Sequence, residues 1–303
     1  YEGSITRDSY ATGAVTGGEN SMYVGGLVGG NDNAHIENSY ATGNVDGSEV
    51  VGGLVGDNNH GATVKNAYAI GTVTGTKNVG GLVGNNYYDA QIKNAYATGA
   101  VTGSDRVGGL VGENLAASIE NTYALGKVTG KTAVGGLLGN NVQGTVTNGY
   151  WDKNKTGQST SAGSANSHGL TSDEMFSANK FFGFDFDKIW GNADGQTTPY
   201  LKDQIGANQV VNKKDQTGGY YSVIQNINQL QSVNKNLAGN YLLGNNIDAS
   251  NSQTWGDANG SGFNPLGDNT HAFTGKLDGL GHTVSNLYIY REKVDNVGLF
   301  GYI

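Results

Sequence analysis

The sequence predicts an all-β fold, a right-handed parallel β-helix (β-solenoid) with about 27–28 residues per coil and short helical or loop insertions. Three observations carry that expectation. The phrase VGGLVG begins at Val24, Val51, Val79 and Val107 and returns as VGGLLG at Val134, with intervals of 27, 28, 28 and 27 residues. A second phrase, DSYATGAVTG, NSYATGNVDG, NAYAIGTVTG, NAYATGAVTG and NTYALGKVTG, keeps the same beat. The composition suits turns and short strands: of 303 residues 51 are Gly and 2 are Pro, and only 15% are charged.

Within one unit the segments around Ile36 to Ala41, Asn44 to Asp46 and Val50 to Val55 read as three short strands separated by Gly or Asn. Each strand pairs with its copy one coil up, at a spacing of ~4.8 Å. Right-handed crossovers are the rule for parallel strands, which sets the expected hand. The position after Tyr is Ala in all five units, and the position before it is Ser9, Ser39, Ala67, Ala95 and Thr122, so the interior is narrow. Alternation then places Val15, Val45, Val73, Val101 and Val128 inside and the Tyr column, Tyr10, Tyr40, Tyr68, Tyr96, Tyr123 and Tyr150, outside. An Asx column, Asp8, Asn38, Asn66, Asn94, Asn121 and Asn148, fits a corner where amides stack along the axis. In VGGLVG a bend at the Gly pair resets the phase and lets Leu and the following Val both point inward, glycine being the residue that tolerates unusual backbone angles.

These repeats resemble the GLUG motif family, through Gly26-Leu27-Val28-Gly29 and its four copies. Further along, NGYWDKNKTGQSTS at Asn148, GLTSDEMF at Gly169 and IWGNADGQTTPYL at Ile189 are similar to the segment that closes such an array. The stretches from Ile224, Phe273 and Val297 are similar to the segment that opens one. The domain reading is therefore 1–150 repeat coils, 151–205 closing segment and 206–303 opening segment of a following module. Because the N-terminus is in register with the repeats, the chain reads as part of something longer, with a unit of some 300 residues that is itself repeated in tandem. Finding no copy of YEGSITRDSYATG after Ile303 in the flanking sequence would overturn that. The resemblance implies a large bacterial surface or secreted protein, of the kind that includes filamentous-haemagglutinin-like adhesins and IgA-protease relatives.

Two short helices are expected in the second half. TSDEMFSANKF places Glu174 three residues after Thr171, a capping box, and NINQLQSVNKN sets Ile227, Leu230 and Val233 at helical spacing. Residues 151–170 read as a loop leaving the stack, and FDFDKIW as a buried strand of structural importance.

The chemistry the sequence offers is sparse. There is no Cys, hence no disulfide or thiolate metal site. The formal charge of −8 argues against nucleic acid as a partner, and no apolar run approaches the ~20 residues of a membrane span. The five histidines, His35, His60, His168, His271 and His282, form no HExxH pair, so the zinc chemistry of the IgA-protease relatives does not carry over, and His282 reads as a turn residue. No G-x-S-x-G elbow or P-loop is present. Asp32, Asp57 and Glu113 follow the GLVG corner in three coils, with Asn85 and Asn140 at the equivalent place in two others. That favours a solvated polar corner over a calcium site. The column of Thr16, Thr74, Thr102 and Thr129, interrupted by Asp46, reads as an ordinary outer face rather than an ice-binding one.

The candidate ligand-binding residues are Tyr40, Tyr68, Tyr96 and Tyr123, as a platform for sugars. Yet rings ~4.8 Å apart also stack on one another, which favours a structural ladder. No metal, cofactor or catalytic residue is expected. The expected function is a non-catalytic stalk or binding segment of an extracellular adhesin. Its partners would be cell-surface glycans or proteins and the flanking modules, and open terminal coils would favour end-to-end association. The alternative is a β-helix enzyme acting on polysaccharide, a lyase or hydrolase, which needs carboxylates gathered on one face.

Overall fold

Parallel pairing between copies organises the first half of the chain. A computed structural model describes residues 3–163, 166–202, 204, 208–257 and 260–303. The chain divides into two compact units, residues 1–190 with 203–205, and residues 191–202 with 206–303.

The first unit is a β-solenoid of five stacked coils with a partial sixth. Its longest ladder runs through Ile5–Arg7, His35–Glu37, Thr63–Ala69, Gln91–Ala97, Ser118–Ala124, Thr145–Asp152 and Ser167–Leu170. The pairing is parallel and sets Tyr on Tyr and Ala on Ala between coils. Three further five-stranded parallel ladders complete each coil. One joins the Val-Thr pairs such as Val73–Thr74, one the Val-Gly segments such as Lys77–Gly80, and one the segments such as Val83–Tyr87. A coil thus has four strands where the sequence pattern suggested three: the third splits at the glycine pair.

That split explains the glycines. The amides of Leu54 and Val55 both donate to the Leu82 carbonyl, at 2.9 and 3.1 Å, and those of Leu82 and Val83 both donate to Leu110. Two successive residues facing one carbonyl is a bulge, and it turns Leu and Val to the same side. Leu54, Val55, Leu82, Val83, Leu110 and Val111 all lie in the core with the Ala column. The bend at the glycine pair is made without positive φ at either glycine. What excludes a side chain is close approach: a Cβ on Gly52 would sit 1.9 Å from the Val55 carbonyl oxygen, and one on Gly53 2.2 Å from that of Gly81. The two valine columns, including Val73, Val79, Val101 and Val107, form a second core strip.

The stack ends at its C-terminal side by a change in the Ala column, where Trp151 takes the place of Ala124. Its indole enters the core and donates to the Gln158 carbonyl at 2.9 Å. Residues 151–170 are not a loop leaving the stack. Asp152 caps a one-turn helix, Lys153–Thr156. The chain then lies along the last coil, where Ser161 Oγ accepts from the Leu138 amide at 2.8 Å and the Thr160 carbonyl from the Gly136 amide at 3.0 Å. This segment therefore covers the part of the last coil around residues 136–138, while Thr132, Ala133, Val142 and Gln143 on the same coil stay exposed. The Thr171–Glu174 capping box forms, with the Thr171 amide donating to Glu174 at 2.9 Å, but it starts only a 3-10 turn, Glu174–Phe176. FDFDKIW is a run of turns rather than a strand.

In the second unit Asp215–Ile224, Asn240–Leu243 and Lys276–Asp278 pair in parallel, and Gln209–Asn212 adds to Asp215–Ile224 antiparallel. The helix Ile227–Gln231 is capped by the Asn226 side chain on the Gln229 amide and buries Ile227 and Leu230 beside Val233, as their spacing suggested. His282 lies in the turn before Val284–Ser285, its amide donating to Gly279.

Candidate functional site

The tyrosine column stacks as a ladder. Ring centroids lie 5.1 Å apart between Tyr10 and Tyr40, 4.9 Å between Tyr40 and Tyr68, and 5.0 Å for Tyr68 to Tyr96 and Tyr96 to Tyr123, with planes within 8°. The rings project away from the coil interior, opposite to the Ala column, as parity requires. They are nevertheless buried, which corrects the expectation that the column faces water: Tyr40 is 8% exposed, and Tyr68, Tyr96 and Tyr123 are 0%. The cause is the closing segment, which folds back over them. Trp190 packs on Tyr96 and Tyr123, and Phe181 on Tyr123 and Tyr150, while Gln204 Nε2 donates to the Asn66 carbonyl at 2.9 Å. Burial, with the neighbouring Tyr10, pushes the Tyr40 phenol up to about 12, and burial raises Tyr68 well above its usual value. None of the four candidate residues offers a free ring face to a sugar. The exposed ring of the column is Tyr10, at 58%.

Two amide ladders brace the corners. In the expected Asx column every member from Asp8 to Asn148 has φ of 48–55°, and from Asn66 onward each amide donates to the one below. The distances are 3.1 Å for Asn66 to Asn38, 3.2 Å for Asn94 to Asn66, 3.4 Å for Asn121 to Asn94 and 2.9 Å for Asn148 to Asn121. Asn and Asp are among the residues that best tolerate this left-handed region. A second ladder, Asn31, Asn58, Asn86, Asn114 and Asn141, is linked at 2.7–2.8 Å. Its signal in the sequence is an Asn two residues after each GLVG or GLLG.

The polar corner itself is rearranged. Pairing sets Gly30, Asp57, Asn85, Glu113 and Asn140 in one column, so Asp32 belongs to a different one, opposite Asn59. Acid and amide alternate there, which keeps carboxylates two coils apart. Glu113 is 8% exposed and hydrogen-bonded throughout. Tyr87 OH and Asn78 Nδ2 donate to Oε2, Asn140 Nδ2 donates to Oε1 at 2.8 Å, and Arg106 lies 3.4 Å away. Burial, then the Glu113 contact, raises the Tyr87 phenol; burial also raises Asp57, against hydrogen bonds from Asn85 and Asn59. Sequence spacing could not show Arg106, Asn78 and Tyr87 as partners of Glu113, because Arg106 comes from the preceding strand of the same coil and the other two from different strands of the coil below. Among the described residues no three His, Asp or Glu side chains are gathered where they could hold a metal ion. Nor is any helix long and apolar enough to cross a membrane.

Parallel coils bound by Asn and Tyr ladders, with a Gly-Leu-Val-Gly or Gly-Leu-Leu-Gly bulge in each, define a repetitive β-solenoid. The GLUG motif family matches residues 20–46, 75–102 and 103–129. A stretch of 86 residues is 48% identical to halomucin of Haloquadratum walsbyi (strain DSM 16790 / HBSQ001), covering 26% of this chain and 1% of that protein's length. No solved structure matches the chain.

Proposed function

We propose that this chain is a non-catalytic β-solenoid segment of a large surface-attached or secreted protein of the adhesin type. It acts as a stalk that holds binding elements and flanking modules out toward cell-surface glycans or proteins. The observation that carries the reading is that its regular side-chain columns are spent on their own copies: tyrosine on tyrosine, amide on amide, with the tyrosines roofed by the closing segment. Such columns lend stiffness rather than reactive groups. The GLUG repeats, and the likeness to a short stretch of a far longer protein, support placement within a large repetitive polypeptide outside the cell.

The polysaccharide-enzyme alternative finds its best support in Asp57, Glu113 and Arg106. Against it, Glu113 has both oxygens engaged and sits two coils from Asp57. Antibodies against the 303-residue chain should label intact cells or the secreted fraction; labelling only after lysis sinks the surface reading. Incubation with neutral and acidic polysaccharides should yield no new reducing ends and no unsaturated products. Release of either would make the chain an enzyme.

A further inference from the structure

At the corner after each GLVG, one column runs through Asn33, His60, Tyr88, Ala116 and Gln143, all with φ between 46° and 54°. This left-handed geometry belongs to the corner, and Asn tolerates it while a bulky aromatic residue does so poorly. Tyr88 adopts it and gains no burial in return, being 48% exposed. A strained, exposed ring on a rigid scaffold is more often a feature of a ligand site than of a core.

The surroundings of Tyr88 point the same way. One face of the ring stacks on His60, with centroids 5.7 Å apart and planes 17° from parallel. Asp32 holds that imidazole by Nδ1 at 2.9 Å. Tyr87 borders Tyr88 at 5.8 Å and 60°. Toward the next coil the column offers only a methyl group: the Tyr88 amide donates to Leu115 and the Asp89 amide to Ala116, which places Ala116 directly above Tyr88 and Gln143 above Ala116. Two coil spacings separate the levels of Tyr88 and Gln143, about 10 Å. A ring in van der Waals contact on both faces needs roughly 7–8 Å. The column therefore leaves room one ring high at the level of Ala116, between the exposed Tyr88 ring and the level of Gln143.

We propose that this notch binds one pyranose residue of a neutral glycan, its C–H face on Tyr88 and its hydroxyl rim toward Asp89 and Gln143. A pyranose combines an apolar face with a polar edge, and the notch has both. Asp89, next to Tyr88 at the rim, disfavours uronic and sialic acids. The repeat supplies one such place, because only the second and third coils carry aromatic rings in this column. The inference does not depend on the surface-segment reading, and failure of sugar binding would leave cell labelling untouched.

The test is amide NMR titration of the full 303-residue chain with soluble β-1,4-glucan, β-1,4-galactan and α-mannan oligosaccharides. Oligogalacturonate and a tryptophan-containing peptide serve as comparisons. Saturable shifts centred on Tyr88, Asp89 and Ala116 are expected with at least one neutral sugar. Tyr88→Ala, and Ala116→Gln, which fills the notch with the side chain tolerated one coil up, should each weaken binding about tenfold or more. Tyr23→Ala, an exposed left-handed tyrosine at another corner, should leave it unchanged. The proposal is overturned by no neutral-sugar binding up to ~10 mM, by unchanged affinity in both variants while circular dichroism shows them folded, or by preference for the anionic sugar or the peptide.

Discussion

A Cβ on Gly81 would meet the Gly109 carbonyl oxygen at 2.1 Å and the Ala97 methyl at 2.9 Å, so alanine there forces two coils apart. Gly81→Ala should cost about 3 kcal/mol, at the upper end of overpacking effects because the obstacle is backbone. Gly30, where an added Cβ meets nothing within 4 Å, should accept alanine within about 0.5 kcal/mol. Urea unfolding midpoints of the two variants test this, and equal shifts would mean that close approach does not explain the glycines. Asn86 makes the complementary point for polar groups. It accepts from Asn58 and donates to Asn114 and the Ser118 carbonyl, so Asn86→Ala leaves buried partners unsatisfied on both sides. A loss of about 2–3 kcal/mol is expected in the same assay.

The tyrosine ladder and the closing segment stabilise each other as elements. Trp190 is fully buried against Tyr96, Tyr123 and Phe184, and Trp190→Ala should cost about 3–5 kcal/mol of that local packing. The coil ladders do not depend on it. Hydrogen exchange should therefore show residues 175–190 losing protection while Gln91–Ala97 and Ser118–Ala124 keep theirs; loss in both at once would mean that the roof and the stack unfold as one. The ladder also sets an alkaline limit. Tyr40 holds its proton to about 12 when folded, against 10.0 for the ordinary phenol. In that window the unfolded chain binds fewer protons than the folded one, so stability falls as pH rises from about 10 to 12. Urea midpoints measured across that range should drop together with the appearance of tyrosinate absorbance. A flat profile would contradict the burial of the column.

Across the whole solenoid each coil contacts only its neighbours, so stability is close to a sum over coils and interfaces. Val79 pairs with Val107 and Val51 with Val79, which makes residues 79–106 one exchangeable coil. Deleting them joins Asn78 to Val107 and brings Tyr68 under Trp190 in place of Tyr96. The shortened chain should remain folded, with a parallel-β circular dichroism spectrum and a lower urea midpoint. Collapse to an unfolded chain would show that the coils are not interchangeable.

The periodicity of 27 and 28 residues, the small Ala column, the stacked amides of the Asx corner and the inward Leu-Val pair were all legible in the residues, because a solenoid writes each contact between coils as an equality between positions one period apart. The fate of the tyrosines was not legible. Whether an outward ring meets water depends on where Phe181, Phe184 and Trp190 come to lie, and they follow the ladder by dozens of residues with no period to announce the contact. The same holds for Arg106 and Tyr87 on Glu113, and for residues 158–162 over the last coil. Repetition exposes the coil in the sequence; what covers it is decided by tertiary packing, since burial is a property of neighbours in space and not of spacing along the chain.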